Sequence, residues 1–261
     1  MILYENMFSY EESIEQRPFI YNNDGIFYFS WNGQLVFRTL LGKKTIEYYV
    51  IDNSCRIDIT FALNYILGFV APQIGMLAFH GCSIKSKSGL AFIILGESGI
   101  GKSTLMRDFL DSGFSYISEE ITFVQKQKSH FWVETSNTIL RMATERYCFT
   151  RGDIIWDERD NKTSYWNSQY SIALSPTCLS KVIIIERSAD KTISLTKIPK
   201  TELIDLLLSH HLYVKSVISW LPFHLIVRLI SEFISSTDFY AYNVELYPDS
   251  DIIMRLISES N

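Results

Sequence analysis

The stretch AFIILGESGIGKSTLMRDFL, residues 91–110, decides how this chain folds. Its apolar, β-branched beginning predicts a strand from Leu90 to Leu95, and its amphipathic end predicts a helix from Lys102 to Asp111. Between them, Gly96-x-x-x-x-Gly101-Lys102-Ser103 matches the phosphate-binding loop signature at every fixed position. A strand, this loop and a helix in that order are typical of a nucleotide-binding α/β domain.

Each part of this loop has a physical role in holding the phosphates of ATP with Mg²⁺. Glycines let the backbone curl until successive amide groups point inward as an anion-binding nest, and the positive end of the following helix adds to that field. We expect Lys102 to reach the β- and γ-phosphates and the Ser103 hydroxyl to ligate Mg²⁺. The predicted nucleotide-binding residues are Gly96, Glu97, Ser98, Gly99, Ile100, Gly101, Lys102, Ser103 and Thr104.

Two further features lie where they can complete a reaction site. Glu119 and Glu120 end a strand-like run sixteen and seventeen residues beyond Ser103. One carboxylate can lie near the metal there, while the other takes a proton from an attacking hydroxyl. His80, sixteen residues before Gly96, can return over the nucleotide site. A surface turn with paired acids and a histidine satisfied in the core are the alternative interpretations.

The composition restricts the classes of function that remain. The chain has 261 residues, 47% of them hydrophobic, and a net charge of −5, so it lacks the basic field that recruits nucleic acid. Its four cysteines are scattered without a C-x-x-C spacing, which is typical of a reduced intracellular protein. The N-terminus does not resemble a signal peptide. We therefore expect a cytoplasmic protein that binds no nucleic acid.

One segment, Phe61–Phe79, is apolar enough to raise the question of a membrane span. Asn64, Pro72 and Gln73 interrupt it, so we interpret it as a buried helix broken near Pro72 and expect no membrane contact. The helical part is predicted to run from Ile57 to Ala71.

The remaining patterns divide the chain into two parts. GIFYFSW, QLVFRTL and TIEYYVI, within residues 25–52, predict a small β-meander, with Asn32-Gly33 as a type I′ turn. Further strands are predicted at Ile121–Gln125 and Lys181–Glu186, and helices from Thr201 onward. The expected fold is α/β, with a P-loop domain over residues 76–261 that has a helical C-terminal part, preceded by a β-rich segment and helix over residues 1–75.

At these residues the sequence resembles the catalytic domain of bacterial HPr kinase/phosphorylase and its smaller relatives. That family has a His-Gly pair, a strand, G-[DE]-S-G-x-G-K-S, a helix that ends in Gly, and Asp-Asp on the next strand. The same order occurs here as His80-Gly81, GESGIGKS at Gly96–Ser103, Gly113 and Glu119-Glu120. The resemblance covers about His80 to Val124 well and the rest loosely.

The resemblance implies a role for each matching residue. Glu119 stands where the family has the general base that deprotonates a substrate serine, and Glu120 where it has a metal-side carboxylate. His80 matches an active-site histidine near the base and the phosphates. Arg141, in NTILRM, is the nearest basic candidate for the family's E-I-R-G-type signature. Relatives form oligomers, which leaves a homo-oligomer open by analogy.

The sequence differs from the family pattern in three respects. Glu replaces Asp at both acidic positions, which shifts each carboxylate by about a bond length, a displacement that matters at a reacting group. The segment before His80 is short and β-rich, and the E-I-R-G-type signature is missing. The chain therefore looks less like the regulator of sugar transport than like the short relatives in peptide natural-product pathways, including those that phosphorylate the C-terminal serine of lasso-peptide precursors.

The sequence thus predicts an ATP- and Mg²⁺-dependent kinase that phosphorylates a serine of a peptide or small protein, such as a natural-product precursor peptide. The predicted catalytic residues are Glu119, His80, Lys102 and Arg141, and the predicted metal ligands are Ser103 and Glu120. One alternative is a small-molecule hydroxyl kinase, since nothing in the sequence marks a peptide groove. The other is a non-catalytic nucleotide-binding regulatory module, which the Asp-to-Glu replacements keep open.

Overall fold

The computed structural model describes residues 19–23, 26–31, 35–40, 46–50, 66–135, 140–143, 154–157, 162–165, 170–188, 193–211, 223–244 and 248–258. Its first strands are β1 (Phe19–Asn23), β2 (Ile26–Trp31), β3 (Leu35–Leu40) and β4 (Ile46–Val50). They pair antiparallel in sequence order, which confirms the meander and adds β1 to it. Trp31 pairs with Leu35, so three residues connect β2 and β3 where a type I′ turn has two. The predicted Asn32-Gly33 turn itself lies outside the described residues.

The apolar segment that follows is helical only in part. Residues 66–70 are α-helical, and Ala71–Ile74 forms a 3-10 helix with Pro72 near its start. Gly75 then takes a left-handed φ of +78°, and a strand begins at Met76. The predicted helix is therefore confirmed for residues 66–70, with its break near Pro72, while its beginning at residues 57–65 lies outside the described residues. No described helix is long and apolar enough to cross a membrane.

The rest of the chain alternates strands and helices. In chain order these elements are β5 (Met76–Lys85), β6 (Ala91–Gly96), α1 (Lys102–Asp111), β7 (Ser115–Ser118), β8 (Ile121–Gln127), β9 (His130–Glu134), β10 (Leu140–Ala143), β11 (Ile154–Asp157), β12 (Lys162–Tyr165), β13 (Ser171–Ile172), β14 (Thr177–Arg187), β15 (Ser194–Lys197), a 3-10 helix (Lys200–Glu202), α2 (Leu203–His210), α3 (Phe223–Ser236), β16 (Asp238–Val244) and α4 (Ser250–Ser258). The strands predicted at residues 90–95, 121–125 and 181–186 are confirmed.

A mixed sheet forms the centre of the described fold, as the α/β class predicts. β6 lies between antiparallel β5 and parallel β14, and β14 also pairs in parallel with β16. The first half of β5 pairs with β8, β8 with β9, and β9 with the start of β14. The pairings β5–β8–β9–β14–β6 therefore close on themselves. β10, β11 and β12 form a separate three-stranded sheet.

Helices cover both faces of this sheet, and alternate residues of β6 show why. Phe92 and Ile94 pack in one core with the buried side chains of α1 and α4. Ile93 and Leu95 pack in the other core with those of α2 and α3. All four are at most 1% exposed, because a strand with helices on both faces has no polar side.

The helix α1 has the bounds that the sequence predicts. Gly113 follows it with φ +85° and donates to the Leu110 oxygen at 2.9 Å, while Phe114 N–H donates to the Phe109 oxygen at 3.0 Å. The rings of Phe109 and Phe114 lie 5.0 Å apart. These two bonds and this apolar contact form a Schellman motif, which ends the helix.

The C-terminal part is not wholly helical, which corrects the prediction. The expected helices occur as α2 and α3, but Asp238–Val244 forms β16 in the central sheet. Phe239 packs in the core with α3 and Tyr242 in the core with α1, so the strand is buried on both sides. The predicted domain boundary after residue 75 stays a prediction; Phe69, which precedes it, packs in the same core as α3.

The side chain of Phe233 fixes how α3 packs on the sheet. Its ring is 0% exposed and lies 5.7 Å from that of Phe79, 4.9 Å from Phe131 and 5.3 Å from Phe239. We expect Phe233→Ala to lower the free energy of unfolding by about 3–5 kcal/mol, because it leaves a cavity among three rings. Phe223→Ala, on the same helix but 37% exposed, should lower it by about 1 kcal/mol or less. Urea denaturation measures both, and equal losses would contradict this packing.

Candidate functional site

The predicted phosphate-binding segment runs from Gly96 to Ser103, and its residues 96–101, which connect β6 to α1, are called the glycine loop below. On one side of β6, Gly81 of β5 pairs with Leu95. On the other side, Ile185 of β14 pairs with Gly96. The glycine loop thus lies beyond the carboxyl end of a central strand, where α/β sheets bind ligands.

Two contacts hold the glycine loop against the sheet. A Cβ at Gly96 would lie 2.9 Å from the Ile185 backbone oxygen, so only glycine fits there. Ile100 is 2% exposed and packs in the core beside α1, whereas residues 97–99 are exposed. The glycine loop therefore has a buried anchor and an accessible tip.

Lys102 folds back over the glycine loop. Its Nζ donates to the backbone oxygens of Gly96 at 2.7 Å and Glu97 at 2.9 Å. The ammonium group is thus held at the mouth of the loop. Ser103 and Thr104 follow, half-buried, in a first helical turn without an acidic residue. No side chain of that turn neutralises the positive end of α1.

The predicted acidic pair lies in a tight turn between β7 and β8. Glu120 has a φ of +66°, which is uncommon for a residue other than glycine. Ile121 N–H donates to the Glu119 oxygen at 2.8 Å. This bond around a residue of positive φ is the pattern of a strained γ-turn. Gly81 N–H donates to the Glu120 oxygen at 3.1 Å, which ties the turn to β5.

Glu119 is buried near the beginning of α1, at 3% exposure. Burial, and then the charge of Glu119, raise the pKa of the Cys82 thiol to about 12, against a weaker opposing effect of Lys102. The same thiol donates to the Lys102 backbone oxygen at 3.9 Å. The charges of Glu119 and Lys102 therefore both act on Cys82, whose thiol contacts the first residue after the glycine loop.

His80 lies at the start of the glycine loop. Since Gly81 pairs with Leu95 in antiparallel strands, the next residues outward, His80 and Gly96, lie opposite each other. Side chains alternate along β5, so His80 shares the face of Cys82, which packs in the core with α1. The structure thus brings the half-buried His80 to the same side of the sheet as the beginning of α1.

Arg141 lies apart from the central sheet. Its strand β10 pairs with β12, where Arg141 is opposite Ser164. β10 approaches α1 with Cα atoms within 8 Å, but the Arg141 side chain lies outside the described residues. Its catalytic role stays a prediction.

Sequence analysis missed the residues that support the acidic turn. At Gly81, a Cβ would lie 2.6 Å from the Ile94 backbone oxygen, so β5 and β6 require glycine there. Ser83, Ser118 and Thr122 form a chain of buried hydroxyl groups between β5 and the turn. Small polar residues within otherwise apolar strands were the available signal, since buried hydroxyls must find partners.

Oxygen ligands suited to Mg²⁺ are present at the site. Within the described ranges, no three His, Cys, Asp or Glu side chains group together as a metal site. Mg²⁺ held with nucleotide phosphates needs only one or two protein oxygens. The Ser103 hydroxyl and the Glu120 carboxylate, both on half-buried residues, fit this chemistry. Their role as ligands stays a prediction.

Comparisons with known proteins give a limited structural similarity. No family model and no curated protein matches the chain. Among solved structures, the Hpr(Ser) kinase/phosphatase from Coxiella burnetii is similar at 9% identity, over 70% of this chain and 94% of that chain, with a TM-score of 0.37. This similarity does not assign the chain to that family, so the roles of its residues rest on its own geometry.

The contact at Gly81 provides a test of how the site is supported. We expect Gly81→Ala to lower the free energy of unfolding by about 3 kcal/mol, the upper end of the roughly 1–3 kcal/mol that overpacking costs. The loss is large because the Ile94 oxygen cannot move without separating β5 from β6. In the control Gly89→Ala, the new Cβ meets no atom within 4 Å, and only the φ of +90° is unfavourable for alanine. We expect this change to lower the free energy of unfolding by about 1 kcal/mol. Chemical denaturation measures both, and a loss no larger at Gly81 than at Gly89 would refute the close contact.

Proposed function

We propose that this protein is an ATP-dependent kinase that phosphorylates a serine hydroxyl of a peptide or small protein, with a natural-product precursor peptide as its acceptor. The observation that best supports this proposal is the arrangement on one side of the sheet of Lys102 over the glycine loop, the buried Glu119, and His80 opposite Gly96. Phosphoryl transfer requires a phosphate cradle and a group that receives the proton of the acceptor.

The glycine loop would bind the phosphates of ATP through its amide groups and the positive end of α1. The Lys102 ammonium now donates to two neutral carbonyl oxygens, at 2.7 and 2.9 Å. Phosphate oxygens carry negative charge whereas the carbonyl oxygens are only dipoles, so a bound triphosphate would draw the ammonium away from those carbonyls. Ser103 and Glu120 would hold Mg²⁺, whose charge offsets that of the β- and γ-phosphates.

Glu119 would act as the general base. Its burial keeps water from competing with the acceptor hydroxyl for the carboxylate. As the serine oxygen forms its bond to the γ-phosphorus, the hydroxyl proton passes to Glu119 and the bond from phosphorus to the departing ADP oxygen breaks. His80 and Arg141 would stabilise charge on the transferred group.

The N-terminal sheet supplies a candidate surface for a peptide. In its described strands, β1 and β4 are the outer strands of the order β1-β2-β3-β4. An extended peptide can add to such an edge through main-chain hydrogen bonds. The sequence of β1 and β2 is aromatic there, with Tyr21, Phe27, Tyr28, Phe29 and Trp31.

The lysine of the glycine loop provides the first test of the function. We expect Lys102→Ala to abolish phosphate transfer and leave the fold intact, because its charge serves the β- and γ-phosphates. The matched control is Lys200→Ala, which also removes a bond from Nζ to a backbone oxygen, that of Ser235 at 2.9 Å. Transfer from labelled ATP, ATP binding by calorimetry and a melting curve are measured for both. Wild-type turnover in Lys102→Ala would exclude the proposed role.

The two acids provide a test that separates base from metal ligand. We expect Glu119→Gln to remove transfer but keep the affinity for Mg–ATP within several-fold, because the amide preserves size and cannot accept the proton. Glu120→Gln should instead weaken the Mg²⁺-dependent part of ATP binding. Calorimetry with and without Mg²⁺ and single-turnover transfer distinguish the two effects. Retained activity in Glu119→Gln would show that another group is the base.

The identity of the acceptor is tested by shortening a substrate. We expect kcat/KM to fall steadily from a serine-ended precursor peptide, through truncated versions, to free serine, because binding of the non-reacting residues positions the hydroxyl. A flat series, or a preference for free serine, would favour a small-molecule hydroxyl kinase. ATP binding without transfer to any acceptor would favour a nucleotide-binding regulatory module.

A further inference from the structure

The γ-turn at Glu120 is not required by the strands around it. Ser83 pairs with Ser118 and His80 pairs with Ile121, so the two pairs are equally far apart along both chains. A regular strand would cover this distance without a left-handed residue. The turn therefore stores strain of about 1–3 kcal/mol, which neighbouring contacts must offset.

A chain of buried hydroxyl groups links the strands beside this turn. Ser83 Oγ bonds to Ser118 Oγ, Ser118 Oγ lies 2.8 Å from Thr122 Oγ1, and Thr122 Oγ1 donates to the Gly81 oxygen at 3.3 Å. All three hydroxyl residues are 0% exposed. Each hydroxyl has one proton, so the donation by Thr122 fixes the direction: Ser83 donates to Ser118, and Ser118 donates to Thr122.

The hydroxyl chain ends on Gly81, the residue that also holds the turn. Gly81 accepts the bond from Thr122 through its C=O and donates through its N–H to the Glu120 oxygen at 3.1 Å. In the sequence, Ser118 directly precedes the Glu119-Glu120 pair, and Thr122 follows it by two positions. The hydroxyl chain thus connects both ends of the turn to β5.

The hydroxyl chain lies on the face of β5 opposite the candidate site. Ser83 is on the face of β5 opposite Cys82 and His80, because side chains alternate along a strand. Cys82 is on the α1 side, where the glycine loop and Lys102 lie. The buried hydroxyls can therefore affect a reaction at the glycine loop only through the turn.

We propose that Ser83, Ser118 and Thr122 are positioning residues, whose hydroxyl chain holds the strained turn and thereby directs the carboxylates of Glu119 and Glu120. This role rests on the proposed kinase function, in which Glu119 receives the acceptor proton. A misplacement of about 1 Å at a reacting group can lower a rate about 100-fold. Loss of the hydroxyl chain therefore lowers kcat more than it raises KM for Mg–ATP, whose phosphates are held by the glycine loop.

The test compares three variants at equal conditions. Thr122→Val removes the hydroxyl and should lower kcat at least about tenfold with KM for Mg–ATP within about threefold. Thr122→Ser keeps the hydroxyl and should restore kcat. Thr177→Val is the matched control, since Thr177 is 3% exposed and donates to the Ser175 oxygen at 3.3 Å, at the start of β14. It should lose stability but keep kcat. Equal kcat in Thr122→Val and Thr177→Val would overturn the proposal.

A second measurement needs no turnover and separates this proposal from the proposed function. Glycine takes a φ of +66° without strain, so Glu120→Gly should raise the Tm of the wild type and of Thr177→Val by the same amount. In Thr122→Val the turn has relaxed, and the same change should raise Tm by less than half as much. Equal shifts in all backgrounds would overturn the proposal. If the wild type transfers no phosphate, the kinase function fails, and this coupling alone decides whether the hydroxyl chain holds the turn.

Discussion

The close approach of β5, β6 and β14 is the constraint on which the rest of the structure depends. A side chain at Gly81 would meet the Ile94 backbone, and one at Gly96 would meet the Ile185 backbone. Because backbone atoms form these contacts, neither neighbouring strand can shift without breaking the sheet. The glycine loop, His80 and the acidic turn are therefore held at fixed positions relative to one another, as a site for phosphate chemistry requires.

The site combines features that lower stability with features that organise charge. Glu119 is a buried carboxylate, and Glu120 holds a strained φ. Both are unfavourable for folding, and natural proteins tolerate such features mainly where function needs them. Cys82 adds no charge of its own, since a pKa raised to about 12 keeps its thiol protonated at neutral pH. The charges that act on this thiol are those of Glu119 and Lys102.

Sequence patterns were most reliable where one periodicity ran without interruption. The apolar face of α1 and the Schellman motif at Gly113 involve residues a few positions apart, so propensity and capping rules predicted both bounds. The patterns predicted no strand at residues 76–79, because MLAF continues the apolar run of the preceding segment without the alternation of a half-buried strand. They also failed at β16, because a short aromatic strand between two amphipathic helices has little periodicity of its own.

The sequence by itself determined the glycine loop between a strand and a helix, and the position of two acids one strand later, because both are local features. Only the tertiary structure decided that β5 and β14 flank the strand before the loop, that Glu119 is buried near Cys82, and that Glu120 lies in a γ-turn. Those features depend on pairing between distant segments; the bond from Ser83 to Ser118 spans 35 positions and that from Thr122 to Gly81 spans 41. The register of such pairs is set by how whole strands pack, which the periodicity of one segment does not specify.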